Sequence, residues 1–346
     1  MNLIDMRSDT ITKPTPEMRE AMAKAEVGDD VFNEDPTVNR LQEIAAARMR
    51  KEAGLFVSSG TMGNLIAVLA NCQRGDEVIM GDLGHTFLFE GGGISALGGI
   101  FPHILRNQAD GSIKIDDIES AIRPDDIHHP ISRMLILENT HNRCGGVVLS
   151  EAYTKNAADV CHKHNLTFHL DGARIFNAAA ALGVDAGILA DPADSVTFCL
   201  SKGLCAPVGS VLCGSTEFIR RAKRIRKMLG GGMRQAGVLA AAGIVALDKM
   251  TSRLAEDHQR AKQLAQGLAD ISGIRFDQGM PQTNMVFVSL DDTIRLSAEQ
   301  FLTKLSERGI KIGKVGERRF RIVTHYWISD EDIETVVEAF REILTD

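Results

Sequence analysis

From residue 54 to about residue 213, short apolar runs alternate with stretches whose apolar positions recur at helical spacing. The runs 55–58, 78–80, 134–137, 167–170, 196–200 and 210–213 each have the length and texture of a strand. Between them, 62–70 and 152–164 have the texture of helices. Alternation of this kind predicts an α/β domain built on a mostly parallel sheet. Upstream, Pro16 opens a predicted helix over 16–26, since proline suits a first turn. A second is predicted over 37–52, where Val38, Leu41, Ile44 and Ala45 share a face. Downstream, helical texture covers 234–271. Strands at 285–288 and 320–323 and a closing helix over 330–344 then suggest a smaller α+β domain. The expected organisation is an N-terminal segment, 1–50, packed on the small domain or on a neighbouring subunit. A large domain, 51–250, and a small C-terminal domain, 251–346, complete it.

A length of 346 residues fits this two-domain reading, because single cores stop growing near that size. A net charge of −7 argues against a nucleic-acid partner. The one basic run, Arg220 to Lys227, reads as a solvated or interface-facing helix, with attraction of an anionic ligand as the alternative. The six cysteines form no C-x-x-C pair, so neither a metal set nor a redox motif is expected. They read as small buried hydrophobes of a reducing compartment. No signal peptide is visible, and no apolar stretch approaches the roughly 18 residues of a membrane span. A cytoplasmic protein without membrane partners is expected.

Three polar motifs each follow an apolar run, where catalytic loops of such sheets lie. In S-S-G-T-M-G-N (58–64) a strand turns through Gly60 into a helix whose free N–H groups, with the Thr61 hydroxyl, suit a phosphate. In H-L-D-G-A-R (169–174) a strand closes on Asp171, with Arg174 three residues on. The motif fits either a helix-capping acid or a buried acid that needs a partner. In C-L-S-K-G-L (199–204) Lys202 closes an apolar run, where partial desolvation makes a lysine nucleophilic toward a carbonyl. An anion cradle, an acid and a lysine are together what pyridoxal phosphate requires.

These motifs also appear in order with R-S-D-T (7–10), G-D-D-V-F-N-E-D-P (28–36), L-E-N-T-H-N (137–142), G-G-G-M-R-Q (230–235) and Q-T-N-M-V-F (282–287). The set, spread over nearly the whole chain, resembles the L-threonine aldolase family. The resemblance implies the pyridoxal-phosphate-dependent transferase fold of type I, the aspartate-aminotransferase type. It implies Lys202 as the Schiff-base lysine, Asp171 at the pyridine nitrogen, and Gly60 and Thr61 at the phosphate. His85 would stack on the ring and take part in proton transfer. Ser8, Arg174 and Arg321 would grip the substrate carboxylate, two guanidiniums suiting bidentate binding. Arg174 also counts among the cofactor's neighbours. His128, in D-D-I-H-H-P, would lie near the substrate hydroxyl. Arg234 would reach the phosphate of a neighbouring subunit, which implies a homo-oligomer, a dimer at least and commonly a tetramer. His141, His162, His164 and His325 read as structural.

Three positions depart from the family pattern. Phe32 replaces a tyrosine, Cys205 a frequent glycine, and H-N-R-C-G-G the usual sequence after Asn142. The expected reaction is retro-aldol cleavage of L-threonine or L-allo-threonine to glycine and an aldehyde, with the base being His85, His128 or a water. A β-eliminating lyase, or an aldolase for another aldehyde such as that of phenylserine, uses the same residues. A non-catalytic binding protein leaves Lys202, Asp171 and Arg174 without a purpose, and a nicotinamide enzyme leaves the lysine unexplained.

Overall fold

A computed structural model of the chain describes residues 3–345. Strand β1 (Ile4–Met6) is followed by helices α1 (Pro16–Ala23) and α2 (Pro36–Arg48). Asp35 caps α2 by accepting from the Thr37 and Val38 amides, and it also accepts from Gly28 and Gly237, which binds the acidic loop to the large domain. The helix stops at Arg48 rather than at residue 52, because Arg50 turns left-handed (φ 52°) to lead the chain into the next strand.

Seven strands form the large sheet: β2 (Ala53–Val57), β3 (Glu77–Gly81), β4 (Phe101–Leu105), β5 (Ser132–Glu138), β6 (Thr167–Asp171), β7 (Ser195–Cys199) and β8 (Ser210–Gly214). Their order is β2-β8-β7-β6-β5-β3-β4, and only β8 runs antiparallel to its neighbours. The inner strands are buried and mostly apolar because helices cover both faces, with polar residues such as His169, Ser195 and Thr197 placed among them. Met134 to Leu137 are all buried, as are Val196 and Phe198. Each such side chain contributes about 1.5–3 kcal/mol by leaving water. Helix α3 (Gly60–Asn71) lies directly on β7, since a Cβ at Gly63 would stand 2.6 Å from Thr197 Cγ2.

A five-stranded sheet builds the smaller unit. It adds β9 (Ile274–Arg275), β10 (Met285–Leu290), β11 (Ile310–Lys314) and β12 (Arg319–Val323) to β1, in the order β1-β11-β12-β10-β9. Strand β1 pairs parallel with β11, while α1 and α2 pack on the Gly237–Val245 helix of the large unit. The N-terminal segment thus joins both units. A separate core around Phe301, Phe320 and Phe340 lies under the helices Leu254–Ala269, Ala298–Glu307 and Asp330–Thr345.

The basic run lies on the helix Thr216–Met228 and is not solvated throughout. Arg226 is buried, bonds Asp30 at 2.7 Å and donates to the Phe56 carbonyl at 2.8 Å. Among the described residues no helix is long and apolar enough to cross a membrane. All six cysteines are buried and unpaired.

Candidate active site

The polar motifs meet beyond the carboxyl ends of β3, β5, β6 and β7, where a doubly covered parallel sheet leaves its crevice. A cleft of about 750 Å³ is lined by Ser8, His85, Arg174, Lys202 and Arg321, together with Phe89, Asn142, Arg143 and Lys314. A second, small cavity joins His85 to Asp171 and Glu138, so His85 borders both spaces.

Lys202 lies in the turn after β7. Its carbonyl accepts from Thr12 Oγ1 (2.8 Å) and from the Cys205 amide (2.9 Å), which fixes the backbone and leaves the ammonium to the cleft. The turn places Cys205 at φ 64°. A non-glycine residue pays roughly 1–2 kcal/mol there, which accounts for glycine being usual at this position.

Asp171 ends β6 and is buried. Its Oδ1 accepts from the Ala173 amide (3.1 Å) and its Oδ2 from Asn64 Nδ2 (2.9 Å). Asn64 donates equally to Glu90 (2.9 Å), and its own oxygen faces His169 Nε2 (3.2 Å). His169 bonds Ser195 through Nδ1, and burial pushes it down to about 4 despite the Asp171 charge, so it stays neutral. His85 Nδ1 meets Glu90 Oε1 at 2.9 Å, and the His85 amide donates to Glu138 (2.8 Å). His85, Glu90 and Asp171 each offer an atom within 4.8 Å of the others, the spacing of a metal-ligand set. The Asn64 NH₂ donates to both carboxylates, however, and an N–H pointing between them repels a cation.

The Glu90 contact raises the pKa of His85, against its partial burial, and Asp171 adds to the effect. Burial in turn raises the Glu90 carboxyl. A Glu90→Gln variant should therefore lower the His85 pKa. If neutral His85 is the working base, the acid limb of the kcat/KM profile moves to lower pH. An unmoved limb would exclude His85, or its coupling to Glu90, from the rate.

Arg174 is buried and paired side-on with Asp9, Nε to Oδ2 at 2.7 Å and Nη2 to Oδ1 at 2.5 Å. Burial alone would raise the Asp9 carboxyl, but Arg174, with Lys202 and Arg321, holds it well below the carboxylate range. Nη1 of Arg174 is left for a ligand. Arg321 donates to Asn142 Oδ1 (2.8 Å) and to the Arg7 carbonyl (3.2 Å). Glu138 holds the Asn142 amide at 2.9 Å, so one carboxylate fixes both the His85 and the Arg321 walls. Ser8 accepts from Thr10 at the cleft edge.

At the start of α3, Ser59 takes up the Met62 and Gly63 amides through its hydroxyl and carbonyl. That leaves the first two helical amides, Gly60 and Thr61, as donors for an anion. A Cβ at Gly60 would come within 3.0 Å of Cys199 Sγ, so the cradle lies against the end of β7, near Lys202. The residues present thus fit pyridoxal phosphate: an anion cradle, a buried acid and a lysine at one crevice.

Gly60, Thr61 and Asp171 border the cleft rather than line it, and two expected site residues lie away from the crevice altogether. His128 stands on an exposed loop beside Ile127 and bonds only Asp126. The loop follows the helix Ile115–Ala121 and does not fold back over the crevice. Arg234 is half-exposed and pairs with Asp29 at 2.8 Å. Asp9, Asn64, Glu90 and Glu138 are site residues the sequence reading missed. For Asp9, Asn64 and Glu138 the positions beside R-S, G-T-M-G and N-T-H were the available signal, while Glu90 had none.

The profile of the beta-eliminating lyase family matches residues 5–292. Low-specificity L-threonine aldolase 1 of Arabidopsis thaliana is 48% identical over 99% of this chain and 97% of its own length. Low specificity L-threonine aldolase of Escherichia coli K12 is 44% identical over 99% of both chains. The threonine aldolase of Leishmania major superposes with a TM-score of 0.83 at 21% identity, covering 99% of each chain. A serine palmitoyltransferase structure with bound pyridoxal phosphate gives a TM-score of 0.77 at 18% identity, over 98% of this chain and 87% of its own. The fold is therefore the pyridoxal-phosphate-dependent type I fold, and the chain belongs to the beta-eliminating lyase family, alongside the low-specificity L-threonine aldolases.

Proposed function

We propose that this chain cleaves the Cα–Cβ bond of L-threonine, L-allo-threonine and related β-hydroxy-α-amino acids, releasing glycine and an aldehyde. The observation that carries the reading is the convergence of Lys202, Arg174 and Arg321 on one cleft. Lys202 Nζ would hold pyridoxal phosphate, which would supply the electron sink for the pair left on Cα. The Gly60 and Thr61 amides would hold its phosphate, and Asp171 would keep its ring nitrogen protonated. Arg174 and Arg321, with Ser8, bind the substrate carboxylate and so set which bond at Cα is aligned for cleavage. With Nδ1 held by Glu90, His85 offers Nε2 to the β-hydroxyl proton. Arg174 acts on the substrate rather than the cofactor, because half of its guanidinium is taken by Asp9.

Any role for His128 or Arg234 in this reaction requires a second copy of the chain. Exposed Phe32 (67%), Met228 (71%) and Val238 (41%) lie near Arg234 along the chain or in the loop it pairs with, and they suit such a contact. We therefore assign a homodimer at least, with residues contributed across the interface. Buried, unpaired cysteines suit a reducing cytoplasm.

The test is product analysis on protein loaded with cofactor. L-threonine should give acetaldehyde and glycine in equal amounts. A β-elimination would instead give 2-oxobutanoate and ammonia, and that outcome would overturn the reading.

A further inference from the structure

The cleft holds three guanidiniums, and two are engaged: Arg174 by Asp9, and Arg321 by Asn142 and the Arg7 carbonyl. Arg143 differs. Among the described residues its side chain makes no ion pair and no hydrogen bond, and its guanidinium carbon stands 6.0 Å from the centre of the Phe89 ring. Phe89 stands 5.6 Å from the His85 ring, so Arg143 lies across the cleft wall from the catalytic face.

The Arg143 backbone is not free to carry the charge away. Its carbonyl accepts from Gln278 Nε2 at 3.0 Å. The same loop is closed by the His141–Val147 bridge and by the Thr283 hydroxyl on the Gly146 carbonyl at 2.8 Å. Gly145 and Gly146 adopt φ of 109° and 70° to make the turn. Arg143 and Arg174 together, after burial, push the Arg321 guanidinium down, as like charges close to one another must. Asp9, behind the cleft, offsets Arg174 and acts on Arg321, but no carboxylate is among the residues that line the cleft with Arg143.

An α-carboxylate satisfies Arg174 and Arg321. It leaves Arg143 facing the side of the cleft on which His85 meets the Cβ substituent. We propose that Arg143 binds a second carboxylate carried by that substituent, so that the enzyme takes β-hydroxy-α-amino dicarboxylic acids. The inference rests on the Cα–Cβ cleavage proposed above. The simplest substrate of the class is 3-hydroxyaspartate. Its Cα–Cβ bond breaks, the β-hydroxyl loses its proton as the C–O bond becomes a carbonyl, and Cα gains a proton. The products are glycine and glyoxylate, with no net oxidation.

A carboxylate bonded to a partly buried guanidinium should favour such a substrate about ten- to a hundredfold. The experiment compares kcat/KM for 3-hydroxyaspartate, followed by glyoxylate release, with that for L-threonine, followed by acetaldehyde. Wild type, Arg143→Gln and Arg143→Lys are measured with bound cofactor. The ratio of the two constants should fall about tenfold or more in Arg143→Gln and recover in part in Arg143→Lys. Competitive inhibition of the wild type needs no variant, and there L-aspartate should bind about tenfold or more tighter than L-alanine. A ratio that moves by less than about threefold, or equal inhibition by the two amino acids, would overturn the proposal. Cleavage of threonine without cleavage of 3-hydroxyaspartate overturns it while leaving the aldolase reading intact. Cleavage of neither removes the reading on which it rests.

Discussion

Replacing Lys202 with alanine should abolish aldehyde and glycine release, a loss on the order of 10⁴-fold or more in kcat. The visible absorption of the covalently bound cofactor should disappear with it. The lysine is held for this role by its backbone, through Thr12 and Cys205, and among the described residues no acid forms an ion pair with its ammonium, Asp9 acting on it only from a distance. Because those contacts use the Lys202 carbonyl, alanine preserves the turn. The change in unfolding free energy should stay within about 0.5 kcal/mol. Lys314 is the other lysine of the cleft, and it is tied to Glu299. Activity near the wild-type level in Lys202→Ala would move the covalent role to Lys314 and undo the assignment.

Asp9→Asn should have the largest effect on stability. The substitution keeps the shape but leaves the buried Arg174 guanidinium without its counter-charge, a cost of about 3–5 kcal/mol. Because the Asp9 pKa is depressed in the folded protein, its stabilisation is fully present above the unfolded carboxyl value, about 4. It is lost as pH falls through the depressed folded value. In urea titrations the gap between wild type and variant should thus hold from pH 7 to about pH 5 and narrow in stronger acid. The KM for L-threonine should rise as well, since Arg174 loses the partner that aims it. Adding Arg174→Met to Asp9→Asn should restore much of the stability but not the KM. A loss below about 1 kcal/mol at pH 7 would mean that solvent reaches the pair and that Asp9 does not anchor the site.

Lys202 and Asp171 were legible because each closes an apolar run, and a charged group at that place needs a reason. The central strands were legible as well, since burial on both faces leaves them mostly apolar. The short strands β1, β4 and β11 carry no such run. Strands β1 and β11 are set by pairing with each other across most of the chain, and β4 is an edge strand set by β3. Asp9 and Arg174 meet across 165 residues, a contact that no local pattern reports. Glu90 sits before three glycines and reads as loop, while its value comes from His85 and Asn64. Arg226 hides in a run of charges, and only the fold shows that it faces Asp30. For His128 the motif suggested a role that a single chain does not supply, because its loop faces solvent. Cys205 is explained only by its backbone: the left-handed turn after Lys202 is where glycine costs least.

The Asp9 carboxylate has a consequence for the order in which this protein matures. It is gripped by Arg174 from the large unit and approached by Asn284 and Arg321 from the small one, while its own segment is made first. During synthesis the Gly60 cradle, Asp171 and Lys202 emerge well before β12 delivers Arg321, the last cleft residue along the chain. A nascent chain on the ribosome therefore displays the lysine before the substrate clamp exists. Capture of the coenzyme and competence to turn over substrate thus call on different lengths of chain, the first on residues up to Lys202 and the second also on Arg321.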